Sequence, residues 1–429
     1  MRARWTAAGV AALLLCVVPA VPASAAPGPP GHLEWWFDAW HVQQLWAHGA
    51  RGQGIVIGVI DTGVNAGLPA LAGHVLAGTN RGPAGGNGDT DRDDDQFGHG
   101  TAMASLMVAH ANEFDILGIA PDARVLPVAV PLDGTTDGGG ATDPDLAGAI
   151  DYAADHGARI INMSLDGPAV DDKNFLSCPA DEQQAVDHAL TEGAIVVAAS
   201  GNSGDHGSPI VQPGVCLGVV SVGAVDSAGR VPPWSSRHPY LTVTAPGVNV
   251  PTLGRRPGSA FAGDGTSQAA ALTSAGLAVI WSRYPKLTNR QVVARLLATV
   301  RGKRATASPA FGYGTIDIGA AVDRAVPADA PDPVFAAVDP FLGKEREQQI
   351  APPSAPVIRR AAHLPTAPSL VPVAPAGPLA SGVGLGGLVA AGIGLLAVVV
   401  LLTMALAGPR RSDRGFSSSV HPHGPGSAR

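Results

Sequence analysis

Three short segments carry side chains that could do chemistry together. Val59-Ile60-Asp61-Thr62-Gly63 ends an apolar run in a glycine turn. Gly98-His99-Gly100-Thr101-Ala102-Met103-Ala104 sets a histidine between glycines, ahead of a stretch of small residues. Gly265-Thr266-Ser267-Gln268-Ala269-Ala270 sets a serine at the same kind of loop-to-helix corner. A serine hydroxyl is a poor nucleophile until a base takes its proton, and the base needs a carboxylate to orient it. Each segment alone also reads as a plain strand end or helix start. All three, in the order Asp, His, Ser, point to nucleophilic acyl transfer, for which no metal or cofactor is expected.

Secondary elements must bring these residues together. Strands are expected at Ile55–Ile60, Val125–Val130, Ile160–Met163, Ile195–Ala198 and Val219–Val222, from apolar, β-branched runs. Helices are expected between them, at Gly100–Val108, Asp143–His156, Ala180–Glu192 and Ser267–Tyr284. This alternation predicts an α/β three-layer sandwich with a mainly parallel central sheet. Asp61, His99 and Ser267 would then meet at the carboxyl edge of the sheet, where such folds build their sites.

From about Gly52 to Val326 the chain resembles the subtilisin-like serine peptidases, the subtilases, whose catalytic order is also Asp, His, Ser. The resemblance implies that Asp61, His99 and Ser267 form a catalytic triad acting on a protein or peptide. Ala198-Ala199-Ser200-Gly201-Asn202 resembles the family segment whose Asn completes the oxyanion hole, a turn Asn after a strand being the alternative. Ile160-Ile161-Asn162-Met163-Ser164-Leu165 resembles the strand lining the substrate cleft, so Ser164, Leu165, Asp166 and Gly167, with Ser200 and Gly201, are expected to form cleft walls. Trp234-Ser235-Ser236-Arg237 and Val243-Thr244-Ala245-Pro246-Gly247 resemble the approach to the serine loop. Two departures stand out. Ala271 occupies a position where most subtilases have proline, and Asp166 intervenes before Gly167 where the family usually has glycine directly.

The rest of the chain suggests export and anchoring. Residues 1–26 combine Arg2 and Arg4, an apolar core and Ala23-Ser24-Ala25, the pattern of a secretory signal peptide. Residues 27–51 form a Trp-rich N-terminal extension, with Trp35, Trp36, Trp40 and Trp46. The peptidase domain is expected over 52–326 and a Pro-rich, extended spacer over 327–380. A transmembrane helix is expected over 381–408, because Leu385 to Leu406 carries no charge and is long enough to span the bilayer core. Residues 409–429 follow with Arg410, Arg411 and Arg414, which puts this tail in the cytoplasm and the catalytic domain outside. Once the signal is removed, Cys178 and Cys216 remain. In an exported domain two cysteines suggest one disulfide, two free buried thiols being the alternative.

Formal charge is −7, and nothing in the composition suggests nucleic-acid binding. The run Asp89-Thr90-Asp91-Arg92-Asp93-Asp94-Asp95 invites a calcium reading. An EF-hand needs Gly at its sixth position and Glu at its twelfth, where Asp94 and Gly100 stand. A solvated acidic loop beside the active site is the expectation, suited to basic groups of a substrate.

The short Trp-rich extension, Pro-rich linker, single C-terminal helix and basic tail together resemble the mycosins, membrane-anchored subtilases of actinobacterial type VII secretion systems. This layout implies a partner in the secretion membrane complex. It leaves two roles open, an active endopeptidase or a mainly structural subunit of that complex.

Overall fold

The sheet that positions the three candidate residues is parallel throughout. The computed structural model describes residues 34–82, 85–93, 97–131, 143–165, 167–168, 178–342 and 371–372. Its strands are β1 (Val56–Asp61), β2 (Thr79–Asn80), β3 (Arg124–Ala129), β4 (Ile160–Met163), β5 (Gly167–Pro168), β6 (Ile195–Ala199), β7 (Val211–Gln212), β8 (Val219–Val225), β9 (Val243–Pro246), β10 (Val250–Leu253), β11 (Ala260–Gly263) and β12 (Val371–Pro372). Its helices are α1 (Trp35–Ala39), α2 (Val42–Ala47), α3 (His99–Val108), α4 (Asp143–Asp155), α5 (Ala180–Thr191), α6 (Thr266–Arg283), α7 (Asn289–Thr299), α8 (Ile318–Asp323) and α9 (Pro333–Val338).

Among the described residues the main sheet runs β2-β3-β1-β4-β6-β8-β9, and every pairing is parallel. The chain leaves β1 toward β3 on one side and returns to β4 on the other. β1 is therefore the topological switch point, where α/β sheets open a crevice, and Asp61 is its last residue. Apart from the exposed Arg124 and the buried Asn162 and Ser221, strands β3, β4, β6 and β8 are apolar and buried on both faces.

Helix α6 runs through the centre and is buried from Thr266 to Ser282. Its Ala269, Ala270, Ala271, Ala275, Gly276 and Ala278 are small enough to let the sheet and α3 approach from several sides. Its Ala, Leu, Val and Ile residues cover most of its circumference, and a helix with so little polar surface belongs inside. With Ala271 in place of proline, α6 continues unbroken from its first turn.

Two segments outside the expected domain are packed onto it. In the N-terminal extension, Trp36 and Trp40 are 0% and 1% exposed. The indole of Trp40 donates to the Ile316 carbonyl and that of Trp46 to the Ile119 carbonyl, at 3.3 and 2.8 Å. At the other end, the extended-spacer reading of 327–380 does not hold for α9. Val334, Phe335 and Val338 are buried there, and Arg290 of α7 lies over the Phe335 ring at 4.7 Å. Val371 and Pro372 pair antiparallel with Ala262 and Phe261 of β11. The apolar patterning of 334–338 is too short to announce a helix, which is why only packing reveals it.

No helix among the described residues is long and apolar enough to cross a membrane. The expected signal peptide at 1–26, the apolar run 385–406 and the basic tail lie outside them.

Candidate active site

Asp61 is fully buried at the end of β1. Its Oδ1 accepts from the Thr62 amide at 2.8 Å, and both its oxygens face His99 Nδ1, at 2.8 and 3.0 Å. A carboxylate only accepts, so Nδ1 carries the proton and Nε2 is left to act as base. His99 opens α3, with its side chain 24% exposed. Burial disfavours its charged form, but the charge and hydrogen bond of Asp61, helped by Asp93 and Asp91, outweigh this. The imidazole is pushed up to about 9.

The glycines flanking His99 have steric work. Gly98 has φ +67°, and a Cβ there would sit 2.3 Å from Arg255 Cβ. At Gly100 a Cβ would lie 2.1 Å from the Gly63 carbonyl oxygen. The turn after Asp61 and the start of α3 can thus approach closely enough for the Asp61–His99 contact.

Ser267 is the second residue of α6 and is 9% exposed. Its hydroxyl donates to the Ser164 carbonyl at 2.8 Å, while the Ser164 hydroxyl donates to the Ser267 carbonyl at 2.8 Å. A hydroxyl has one proton, so in this rotamer Ser267 is not donating to His99. Behind this pair, Asn162 Nδ2 donates to Ser164 Oγ and Ser274 donates to Asn162 Oδ1. Asn162 and Ser274 were not singled out from the sequence. The available signal was an Asn inside an otherwise apolar strand, fully buried here and needing partners.

Asn202 follows β6. Its Oδ1 accepts from both the amide and the hydroxyl of Thr266, each at 2.9 Å. That fixes the amide orientation and leaves Nδ2 as the donor end. The Ser267 amide lies in the first turn of α6, among N–H groups without intrahelical partners. Ser200 and Gly201 are buried and lead the chain to Asn202. Ser164 and Leu165 are 1% and 8% exposed, and Gly167 pairs with Gln212 between β5 and β7. Asp166 lies outside the described residues. Cys178 and Cys216 form a disulfide with Cα atoms 4.9 Å apart, within the range a bridge allows.

The acidic run is not simply solvated. Asp91 is 5% exposed and accepts from the Thr62 hydroxyl and the Thr101 amide, both at 2.8 Å. Asp93 accepts from the His99 amide at 2.9 Å. The donors lie outside the run, with Thr62 placed 29 residues before Asp91 and the His99 and Thr101 amides 6 and 10 residues after their acceptors, so a reading confined to the run could not find them.

Residues 52–314 match the model of the subtilase family, peptidase S8. The chain belongs to the subtilase family. It is 34% identical over 278 residues to subtilisin DY of Bacillus licheniformis, across 64% of this chain and 93% of that protein. Identity to subtilisin E of Bacillus subtilis is 33% over 282 residues, covering 65% of this chain and 68% of that one. Solved structures similar to this subtilase include the MycP3 protease from the type VII (ESX-3) secretion system, with TM-score 0.58 and 30% identity over 70% of this chain and 90% of that one. MycP1 from Mycobacterium smegmatis gives TM-score 0.59 and 26% identity, over 73% of this chain and 89% of that one. This subtilase is a serine endopeptidase with a subtilisin-like α/β fold, and its structural neighbours include mycosins.

Proposed function

We propose that this chain is a membrane-anchored endopeptidase in which Ser267 is the nucleophile, His99 the general base and then acid, and Asp61 the residue that orients the imidazole. The observation that carries this reading is the buried Asp61 carboxylate bonded to His99 Nδ1, which reserves Nε2 for proton transfer. A substrate strand lying along Ser164–Leu165 takes the Ser164 carbonyl with its own amide. The Ser267 hydroxyl is thereby freed to rotate toward Nε2. Ser267 Oγ attacks the peptide carbonyl, its proton passes to His99, and the oxyanion accepts from Asn202 Nδ2 and the Ser267 amide. His99 returns the proton to the leaving amine, and water attacks the acyl-enzyme with the same base. A fluorophosphonate probe is expected to label Ser267 in the wild type and not in Ser267→Ala. Labelling at another residue, or none on folded protein, defeats the assignment.

The similarity to MycP3 and MycP1 supports a place beside a type VII secretion membrane complex, acting on secreted or secretion-related proteins. On this reading residues 381–408 hold the peptidase at the outer face of the membrane, the basic tail lies inside, and tethering raises its effective concentration at the secretion pore. The second reading, a subunit that stabilises the complex with cleavage secondary, is favoured by the bracing of both flanking segments against the domain. Secretion of a type VII substrate compared between a deletion strain, a Ser267→Ala strain and a strain making a form ending at Ala380, which keeps α9 and β12 but lacks the proposed anchor, separates the two. Normal secretion after deletion removes the structural role. A block in Ser267→Ala as complete as in the deletion makes catalysis the main role.

A further inference from the structure

Three consecutive amides at the start of α3 are each taken by a side chain from elsewhere. His99 N–H donates to Asp93 Oδ2, Gly100 N–H to Thr62 Oγ1 and Thr101 N–H to Asp91 Oδ2, at 2.9, 2.9 and 2.8 Å. Thr62 directly follows Asp61, and its hydroxyl donates to Asp91 Oδ1 at 2.8 Å. Asp91 also accepts from the Asp93 amide at 3.1 Å. One buried carboxylate therefore grips both the turn that carries Asp61 and the helix end that carries His99.

We propose that Asp91 is a positioning residue for the Asp61–His99 pair, setting their spacing through Thr62 and Thr101 and adding a buried negative charge that favours the imidazolium formed during reaction. The inference rests on the reading of His99 as the base. A neutral Asn or Ser satisfies helix-end amides without the desolvation cost of a buried carboxylate. Burial does raise the Asp91 carboxyl above its ordinary range, against the opposing hydrogen bonds from Thr101, Thr62 and Asp93. A charge retained at that cost, beside the residue that becomes cationic, is suited to electrostatic support of His99. Among the described residues the charged groups facing His99 are Asp61, Asp93 and Asp91. Among the described residues those around Asp91 are Asp93 on its own loop and Arg255 after β10, whose guanidinium donates to the Asp91 main-chain carbonyl at 3.4 Å. Arg92 turns away toward the Gly85 carbonyl.

The test is the rate of inactivation of the full-length protein by a fluorophosphonate, measured from pH 5 to 10, since this reaction needs the base but no known substrate. Asp91→Asn is expected to slow the maximal inactivation rate roughly tenfold or more at unchanged probe affinity. Its acid limb is expected to move to lower pH by about half a unit or more, because a charge favouring the imidazolium is gone. Thr62→Val, which removes the hydroxyl link at similar volume, is expected to slow the rate in the same sense, and Thr62→Ser to restore most of it. If Asp91→Asn does not fold, the Thr62 pair decides. Wild-type protein not labelled at Ser267 overturns the catalytic reading and this inference with it. Wild type labelled at Ser267, with Asp91→Asn or Thr62→Val unchanged in rate, overturns this inference alone. A slower Asp91→Asn with an unmoved acid limb leaves Asp91 a purely structural residue and also overturns it.

Discussion

At the scale of single residues, the arrangement makes two quantitative demands. Thr266 takes Asn202 Oδ1, so on the proposed mechanism Asn202 offers Nδ2 to the oxyanion. Asn202→Ala is expected to lower kcat by about 10²–10³ with little change in KM, measured on any peptide the wild type cleaves. A large rise in KM at constant kcat contradicts that role. As the proposed base, His99 must be neutral to accept the Ser267 proton, and Asp61, Asp93 and Asp91 raise its affinity for protons. The acid limb of kcat/KM is therefore expected above the ordinary histidine value of about 6.5. The same shift acts oppositely on stability. A group whose folded pKa is raised stabilises the fold fully below pH 6.5, and this contribution fades as pH climbs toward about 9. Thermal unfolding followed across that window is expected to show a declining contribution that is absent in His99→Ala.

Elements hold these residues by different means on the two sides of the cleft. Asp61 and His99 sit at a strand end and a helix start, stitched by Thr62, Asp91 and Asp93. Ser267 is held by α6, and the reciprocal bonds between Ser164 and Ser267 lock α6 to the chain leaving β4. The bridge from Cys178 to Cys216 pins the chain before α5 to the chain before β8, across 38 residues of sequence. Replacing both cysteines by alanine is expected to cost about 3–4 kcal/mol in the chain-entropy picture. This is read as a drop of several degrees in Tm, with Ser267 labelling retained at low temperature. An unchanged Tm would mean the loop is already held by α5 packing.

For the whole molecule, the flanking segments are braces. Trp36 and Trp40 are buried as deeply as the sheet itself, and the Trp40 indole is bonded to a carbonyl just before α8. A segment integrated in this way is not one that folding must discard. N-terminal sequencing of wild type and Ser267→Ala is expected to find the same start near Ala26 or Pro27. A start beyond Gly52 in wild type alone would show autocatalytic removal instead. On the C-terminal side, β12 extends the β10–β11 pair, and Phe261 of β11 packs edge-on against Phe97, which packs edge-on against His99.

The identities and order of Asp61, His99 and Ser267, the glycines around them and the alternation of apolar strands with helices were legible in the sequence. Each depends on local chemistry or on a periodicity that a short window contains. β1, β3, β4, β6 and β8, with α3 to α6, accordingly appear within a few residues of where the patterning puts them. The cysteine pair was legible because few residue types can form a bridge, whereas Asn202 stood out only through the resemblance of its segment to the subtilases. The strands β2, β5, β7 and β9 to β12 and the helices α1, α2 and α7 to α9 were not anticipated, being short or only half apolar. The support of Asn162 and Ser274 behind Ser164 was also invisible, and so was the role of Asp91. A buried polar side chain is defined by partners that arrive from elsewhere in the chain. Along the sequence Asp91 is one carboxylate in an acidic run, and only the folding of β1 against α3 gives it Thr62 on one side and Thr101 on the other.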